Sequence, residues 1–282
     1  MISVIIPFSG KKLDQLDEQL ISISAQEVNQ EVEVIIVCNK ADLRSHEIIR
    51  YNQNSQISFK LIHANDASGA SYARNVGVDA SKGENLLFCD SDDVVHKGWI
   101  NALSSGLENY HLVGGALKPF VDNGSHRIPY PPIKQLNVKF DFLPFASSSN
   151  FAVRREVFFL LGGFSTIYFG CEDTEFCWRA LDEGFSIGFI ANAVIDYRLR
   201  NNFKAAFAQH FQYGSYDCKL ARAWKLSRKR TFPWKQLFKS IILISFPILI
   251  LRGRYRRTLG VCLGYVLGYS KSLFLFSIRG VN

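Results

Sequence analysis

Acidic side chains almost vanish from the end of this chain. Residues 197–282 hold 17 Lys and Arg but one acid, Asp217, whereas residues 1–196 hold 24 acids against 16 bases. A body of formal charge −8 therefore precedes a tail of +16, which together give the +8 of the 282 residues. Such asymmetry points to a polyanionic partner, either nucleic acid or an anionic membrane surface. No two of the six cysteines form a C-x-x-C pair. A chain this long also buries a sufficient core without covalent staples. These absences argue against a zinc ribbon or disulfide scaffold and for a reducing compartment. No basic segment followed by an apolar one precedes the first strand-like run at residues 2–7, so no secretory signal is expected. No internal repeat is visible.

The tail also lacks an unbroken apolar run of the roughly 20 residues that a spanning helix needs. Residues 240–251 are twelve without a charge, and residues 258–277 form a second apolar stretch interrupted by Lys271 and three glycines. Basic clusters flank the first run at 228–230 and 252–257, with Trp224, Trp234, Tyr255, Tyr265 and Tyr269 as interface-type aromatics. A nucleic-acid-binding tail has no need of so long an aliphatic run, so an anionic membrane surface is expected and nucleic acid is not. A span entering from the cytosol would put the 252–257 cluster outside, against the positive-inside rule. An interfacial or re-entrant hairpin fits better, and a helical cap packed on the body is the simpler alternative. The Gly260, Gly264, Gly268 spacing allows close helix approach.

The body alternates strands and helices. Residues 2–7, 32–38, 57–63 and 85–89 read as strands. Between them, Leu13, Leu16, Leu20 and Ile23 fall at helical spacing, and 42–52 and 71–80 read as helices. This order predicts βαβ units in an α/β fold with a mainly parallel sheet. Further on, 111–117, 150–153 and 186–190 read as strands, 154–161 and 172–183 as helices, and a further helix starts near Lys97. The proline-rich stretch 118–145 reads as loop, a length uncommon unless it binds something.

Two acidic constellations carry the chemistry. Asp90-Ser91-Asp92-Asp93 follows an apolar strand, where ligands of open α/β sheets gather. Adjacent carboxylates raise one another's pKa values, and an oxygen-seeking Mg2+ or Mn2+ relieves that repulsion; a turn capping the next helix is the plainer reading. Glu172-Asp173 opens a helix at the end that favours anions, and one of the two can serve as a general base. Arg74 falls within the first two turns of a helix with small residues at its start, a natural anion site. A surface salt bridge to Asp79 or Glu84 is its alternative.

Five segments together resemble one family: SVIIP at 3–7, ARNVG at 73–77, GENLLFCDSDD at 83–93, GGF at 162–164 and GCEDTEFCWR at 170–179. In this order they resemble the family-2 nucleotide-sugar glycosyltransferases, over roughly residues 1–200. The resemblance implies a GT-A (Rossmann-like) catalytic domain at 1–200, followed by a basic, apolar helical region at 201–282. It implies an inverting, metal-dependent transfer from a nucleoside-diphosphate sugar, most readily a UDP-sugar, to a glycan or lipid-linked acceptor. It further implies Asp173 as base with Glu172 assisting, metal at Asp92 with Asp90 and Asp93, and donor contacts from Pro7, Phe8, Asn39, Arg74, Asp90 and Ser91. The expected setting is surface polysaccharide or glycolipid synthesis at the cytoplasmic face of the membrane.

The chain departs from the family pattern in places. An acidic pair after the second strand is replaced by Cys38-Asn39, so Asn39 brings no charge to a base edge. A metal-binding His after the base helix is replaced by a segment with Arg198 and Arg200, which can hold diphosphate or face the membrane. No Q-x-x-R-W motif follows, so one sugar per encounter is expected. Two other functions compete: a nucleotidyltransferase using the faint basic loop at 8–12, and a degenerate fold acting as a membrane-bound partner subunit.

Overall fold

The computed structural model describes residues 1–40, 51, 56–245 and 253–278. They form two compact units. One comprises Met1–Phe120, Ile128–Thr166 and Glu172–Arg198; the other comprises Val121–Arg127, Ile167–Cys171 and Leu199–Asn282.

The first unit is built on a mixed sheet. β1 (Ile2–Phe8), β2 (Val32–Cys38), β3 (Ile57–His63) and β4 (Asn85–Cys89) pair in parallel in the order β3-β2-β1-β4. All seven residues of β1 and of β2 are buried, as expected for strands covered on both faces. Alternation sends Val4 and Ile6 to one face, against Leu16 and Leu20 of α1 (Leu13–Ser24) and Trp99 and Leu103 of α3 (Trp99–Asn109). It sends Ile5, Ile35 and Val37 to the other face, beneath α2 (Ala70–Asp79), α4 (Arg155–Leu160) and α5 (Glu172–Asp182).

The flanking helices match the expected α/β architecture, but the parallel half ends at β4. β10 (Asn150–Arg154) runs antiparallel to β4 and to β6 (Leu112–Asp122). β11 (Ile187–Leu199) follows, pairing antiparallel with the two-residue β5 (Val94–Val95). Both β6 and β11 are longer than their sequence suggests. β11 carries on because Ala193 and Ile195 point into the core while Asp196 and Ile195 pair with β5. The stretch read as loop contains β7 (Arg127–Pro129) beside β6, and the small β8 (Asn137–Val138) and β9 (Pro144–Phe145) hairpin. The helix expected at 42–52 lies outside the described residues apart from Tyr51.

Beneath the carboxyl end of β4 sits a phenylalanine cluster. Phe164 lies 5.2 Å from Phe88, 5.4 Å from Phe158 and 5.0 Å from Phe176, ring centre to ring centre. Gly162 and Gly163 both take positive φ (73°), which tightens the turn after α4 and drops Phe164 into this cluster. The GGF segment is therefore a packing device under the site.

The second unit contains α6 (Phe203–Ala223), α7 (Arg228–Thr231), α8 (Trp234–Ser245) and α9 (Gly253–Ile278). α6 and α9 run parallel in constant register: Arg257 Nε donates to Arg200 O (2.7 Å) and Ser272 Oγ to Ser215 O (2.9 Å), each pair 57 residues apart. The glycine stripe makes this approach possible. A Cβ on Gly260, Gly264 or Gly268 would stand 2.7, 2.4 or 2.0 Å from the carbonyl oxygen of Phe203, Phe207 or Phe211. Backbone in that position cannot swing aside. Lys271 and the glycines, read as interruptions, do not break α9. Among the described residues it holds the one helix long and apolar enough to cross a membrane, Arg254–Ser277, with 44% of its most apolar window buried within the structure.

Gly268→Ala tests the stripe. The overpacked contact with Phe211 O is expected to cost about 1–3 kcal/mol, visible as a lower midpoint in denaturant. An unchanged midpoint would show that the helices can move apart freely.

Candidate active site

The parallel strands β1, β2 and β4 end on one edge of the sheet, and the predicted residues collect there. Asp90 leaves β4 directly. Asp90, Asp92 and Asp93 each present one carboxylate oxygen, all within 4.8 Å of one another. Asp90, Ser91 and Asp92 are half-buried, while Asp93 is 1% exposed. Asp93 Oδ1 accepts the backbone N–H of Arg198 at 2.8 Å, and its Oδ2 has no partner among the described residues. Burial pushes the Asp93 carboxyl well above the usual carboxylate range. The charges of Asp90 and Asp92 add to this, and the Arg198 N–H and charge partly offset it. An orphaned buried oxygen beside two further carboxylates is a donor set that suits a hard divalent cation.

Arg74 does not make the surface salt bridge that was its alternative. It pairs with neither Asp79 nor Glu84, and it lies behind the acids rather than at the surface, 2% exposed. Its Nη2 donates to Asp90 Oδ1 at 2.6 Å and its Nη1 to Glu172 Oε1 at 3.0 Å. Burial pulls its pKa down, but Asp90, Glu172 and Asp173 more than offset this and leave it raised. The next residue, Asn75, clamps Phe164: its Nδ2 donates to Phe164 O (2.8 Å), and its Oδ1 accepts Phe164 N–H (3.0 Å). One turn of α2 thus ties the acidic loop, the start of α5 and the aromatic cluster together.

The Glu-Asp pair divides inward and outward. Glu172 is buried and faces Arg74. Asp173 is half-buried and held from two sides. Its Oδ1 accepts Thr174 N–H at 2.7 Å and its Oδ2 accepts Ser148 N–H at 3.1 Å. Arg179, one turn on, pairs with Glu175 (2.8 Å) and donates to Leu161 O and Gly163 O, pinning the glycine turn to α5.

Other predicted residues have partners within the protein. Pro7 and Phe8 are buried at the end of β1, where Phe8 O accepts Asn39 N–H at 2.8 Å. The Asn39 amide donates to Ala64 O (2.5 Å) and Ala67 O (2.7 Å), and its Oδ1 accepts Gly69 N–H (2.9 Å). Both its donors are thus used in holding the turn before α2, and its Oδ1 keeps one further lone pair. Arg198, expected either on diphosphate or at a membrane, is 6% exposed behind the acids. It donates to Asp92 O (2.9 Å) and to Glu18 (2.7 Å), and stacks over Phe120 at 4.9 Å.

Sequence reading missed the role of Asn150. It sits opposite Cys89 of β4 and is 1% exposed. Its amide donates to Ala116 O (3.0 Å) and Ala193 O (2.9 Å), and its Oδ1 accepts Trp99 Nε1–H (2.8 Å). A lone polar residue opening an apolar strand was the available signal.

The asymmetry of Asp93 makes a prediction. Its folded pKa lies above its unfolded value, so its contribution to stability is fully present below about pH 3.9 and is lost as pH rises toward the raised folded value. Without metal, Asp93→Asn is expected to raise Tm at pH 7 by about 2 °C, equivalent to about 1 kcal/mol. The further rise on adding Mn2+ should disappear. A lower Tm, or a Mn2+ response equal to the parent's, would overturn this account of the cluster.

Comparison with known proteins gives a consistent result. The model of the family described as "Glycosyl transferase family 2" matches residues 3–160. The glycosyltransferase AglE of Haloferax volcanii is 24% identical over 237 residues, covering 82% of this chain and 77% of AglE. The mannosyltransferase PcManGT of Pyrobaculum calidifontis, solved with GDP-Man and Mn2+, shares the fold with a TM-score of 0.67 at 15% identity, over 97% of this chain and 87% of that one. GalNAc-T7, solved with UDP, GalNAc and Mn2+, gives 0.57 at 16% identity, over 71% and 44%.

Proposed function

The chain belongs to glycosyl transferase family 2, and we propose that it moves one sugar per encounter, with inversion, from a nucleoside-diphosphate sugar to a hydroxyl of a glycan or lipid-linked acceptor. The observation that carries this reading is the pairing of Arg74 with both Asp90 and Glu172, which locks a cation-binding acid cluster and a carboxylate at a helix start into one site. Asp92, with Asp90 and Asp93, would hold Mg2+ or Mn2+, whose charge stabilises a departing diphosphate. Solved relatives of the fold carry GDP-Man or UDP together with Mn2+, which supports a nucleotide-sugar donor.

Asp173 is the base in this reading. Its carboxylate is fixed by N–H donors from α5 and from the loop before β10, so it needs no reorganisation to accept a proton from an attacking hydroxyl. Glu172 pairs with Arg74 and sets the position of the helix start. Pro7, Phe8, Asn39, Asp90 and Ser91 would line the donor side, and Arg74 would act there through its pairing with Asp90. Because Asn39 retains one acceptor position, base selection rests more on shape and backbone groups than on a carboxylate. Residues 1–200 would supply the chemistry and 201–282 a membrane-surface contact at the cytoplasmic face, suited to building a surface polysaccharide or glycolipid. The assembled acids and the family match disfavour a degenerate partner subunit.

Two measurements check this. In a thermal-shift screen of UDP, GDP, CDP and dTDP, one nucleotide is expected to stabilise the protein only with Mn2+ or Mg2+; at about 100 times its Kd the gain is about 2.7 kcal/mol. No shift with any of them would refute the donor site. Asp173→Asn is expected to lower kcat about 10²-fold with donor binding kept. A variant that instead loses the nucleotide response would refute the base assignment.

A further inference from the structure

α8 is folded with its apolar face outward. Of its residues, Ser240 and Leu243 are the buried ones, whereas Trp234 (61%), Phe238 (66%) and Ile241 (53%) are exposed. At 3.6 residues per turn these three fall along one line of the helix. Lys235 and Lys239, both exposed and four residues apart, run along its flank. A helix stabilised by packing alone turns its apolar stripe toward the protein, so this stripe has another partner. Beside it lies a groove of about 980 Å³ between α8 and α9, lined by Trp234, Phe238, Ile241, Val261, Cys262 and the two lysines among others.

The charge of the region identifies the occupant. Asp217, the lone acid of residues 197–282, is 1% exposed and accepts the Tyr265 hydroxyl at 2.6 Å. The basic charge around α8 therefore has no exposed acid from the same segment to offset it. α9 is already committed: its glycine stripe lies against the α6 backbone, and Leu259, Cys262, Val266 and Tyr269 are buried.

We infer that α8 lies flat in an anionic bilayer interface, with Trp234, Phe238 and Ile241 among the acyl chains and Lys235 and Lys239 at the phosphates, while α9 remains a protein strut and does not span. This deepens the membrane-contact reading above by naming the helix that inserts and the one that does not. Lysine stems reach headgroups while their methylenes cover apolar surface, and apolar area together with anionic attraction sets the strength of such binding.

The test uses the full chain and vesicles of phosphatidylcholine with and without phosphatidylglycerol. Phe238→Glu/Ile241→Glu changes two exposed positions, so its melting curve and its nucleotide response should match the parent's. Its partition onto anionic vesicles is expected to fall at least 10-fold. Lys235→Glu/Lys239→Glu should weaken binding several-fold and reduce its salt dependence, and alkaline carbonate should release the parent from vesicles. Parent-level binding by the Phe238/Ile241 variant would overturn the inference. So would equal binding to pure phosphatidylcholine, or carbonate-resistant retention, the mark of a spanning α9. Self-association that this variant abolishes, with no vesicle binding by the parent, would assign the face to a second copy and overturn it too. None of these outcomes touches nucleotide binding, which judges the transferase reading separately.

Discussion

A buried guanidinium sits between two carboxylates that come from distant parts of the chain. Arg74 is almost fully enclosed; its direct ion pairs with Asp90 and Glu172, with the nearby charge of Asp173, compensate its desolvation. Removing one partner of a buried pair leaves an uncompensated charge at a cost of about 3–5 kcal/mol, so the end of β4 and the start of α5 are held in a fixed relation. Asn75, the next residue, grips Phe164 through two hydrogen bonds and adds the aromatic cluster to the same assembly. The segments that resemble the family are thus parts of one mechanical unit: α2 supplies the clamp, the GGF turn its seat, and the two acidic segments the surfaces that it aligns.

This clamp leaves the acid cluster with an unbalanced charge. Asp90 is neutralised by Arg74 and Asp93 is approached by the backbone of Arg198, yet three carboxylates still crowd within 4.8 Å of one another. Asp93 shows the consequence, with a raised pKa and an oxygen that no described group satisfies. Stability is given up locally, and a hard cation is the natural compensation. The same trade appears at Asp173 in a milder form, where two N–H donors fix a carboxylate that remains partly open to solvent.

The second unit solves a different problem. It must keep a strongly basic, strongly apolar segment folded. It does so by contact between backbones: glycines of α9 meet carbonyls of α6, and a buried Asp217 meets Tyr265. Because α9 supplies the interior, α8 is left to present its apolar residues outward.

The sequence by itself determined the α/β class, the placing of DxDD beyond an apolar strand, the opening of a helix by Glu172-Asp173, and a tail with one acid against 17 bases. These are local properties: periodicity sets strand or helix, and composition sets charge. Tertiary structure alone decided the partners. Arg74 and Glu172 are 98 residues apart, and no local pattern tells a guanidinium which carboxylate it will meet. The same limit hid that Asn39 is engaged by Ala64, Ala67 and Gly69, that Arg198 braces the acidic loop from behind, and that Asn150 joins neighbouring strands. It also hid the length of β11, whose continuation depends on pairing with Val94 and Val95, 102 and 100 positions before Asp196 and Ile195. Spacing reports which face of an element a residue occupies; whether that face turns inward, as in α2, or outward, as in α8, depends on which neighbours the topology has already supplied.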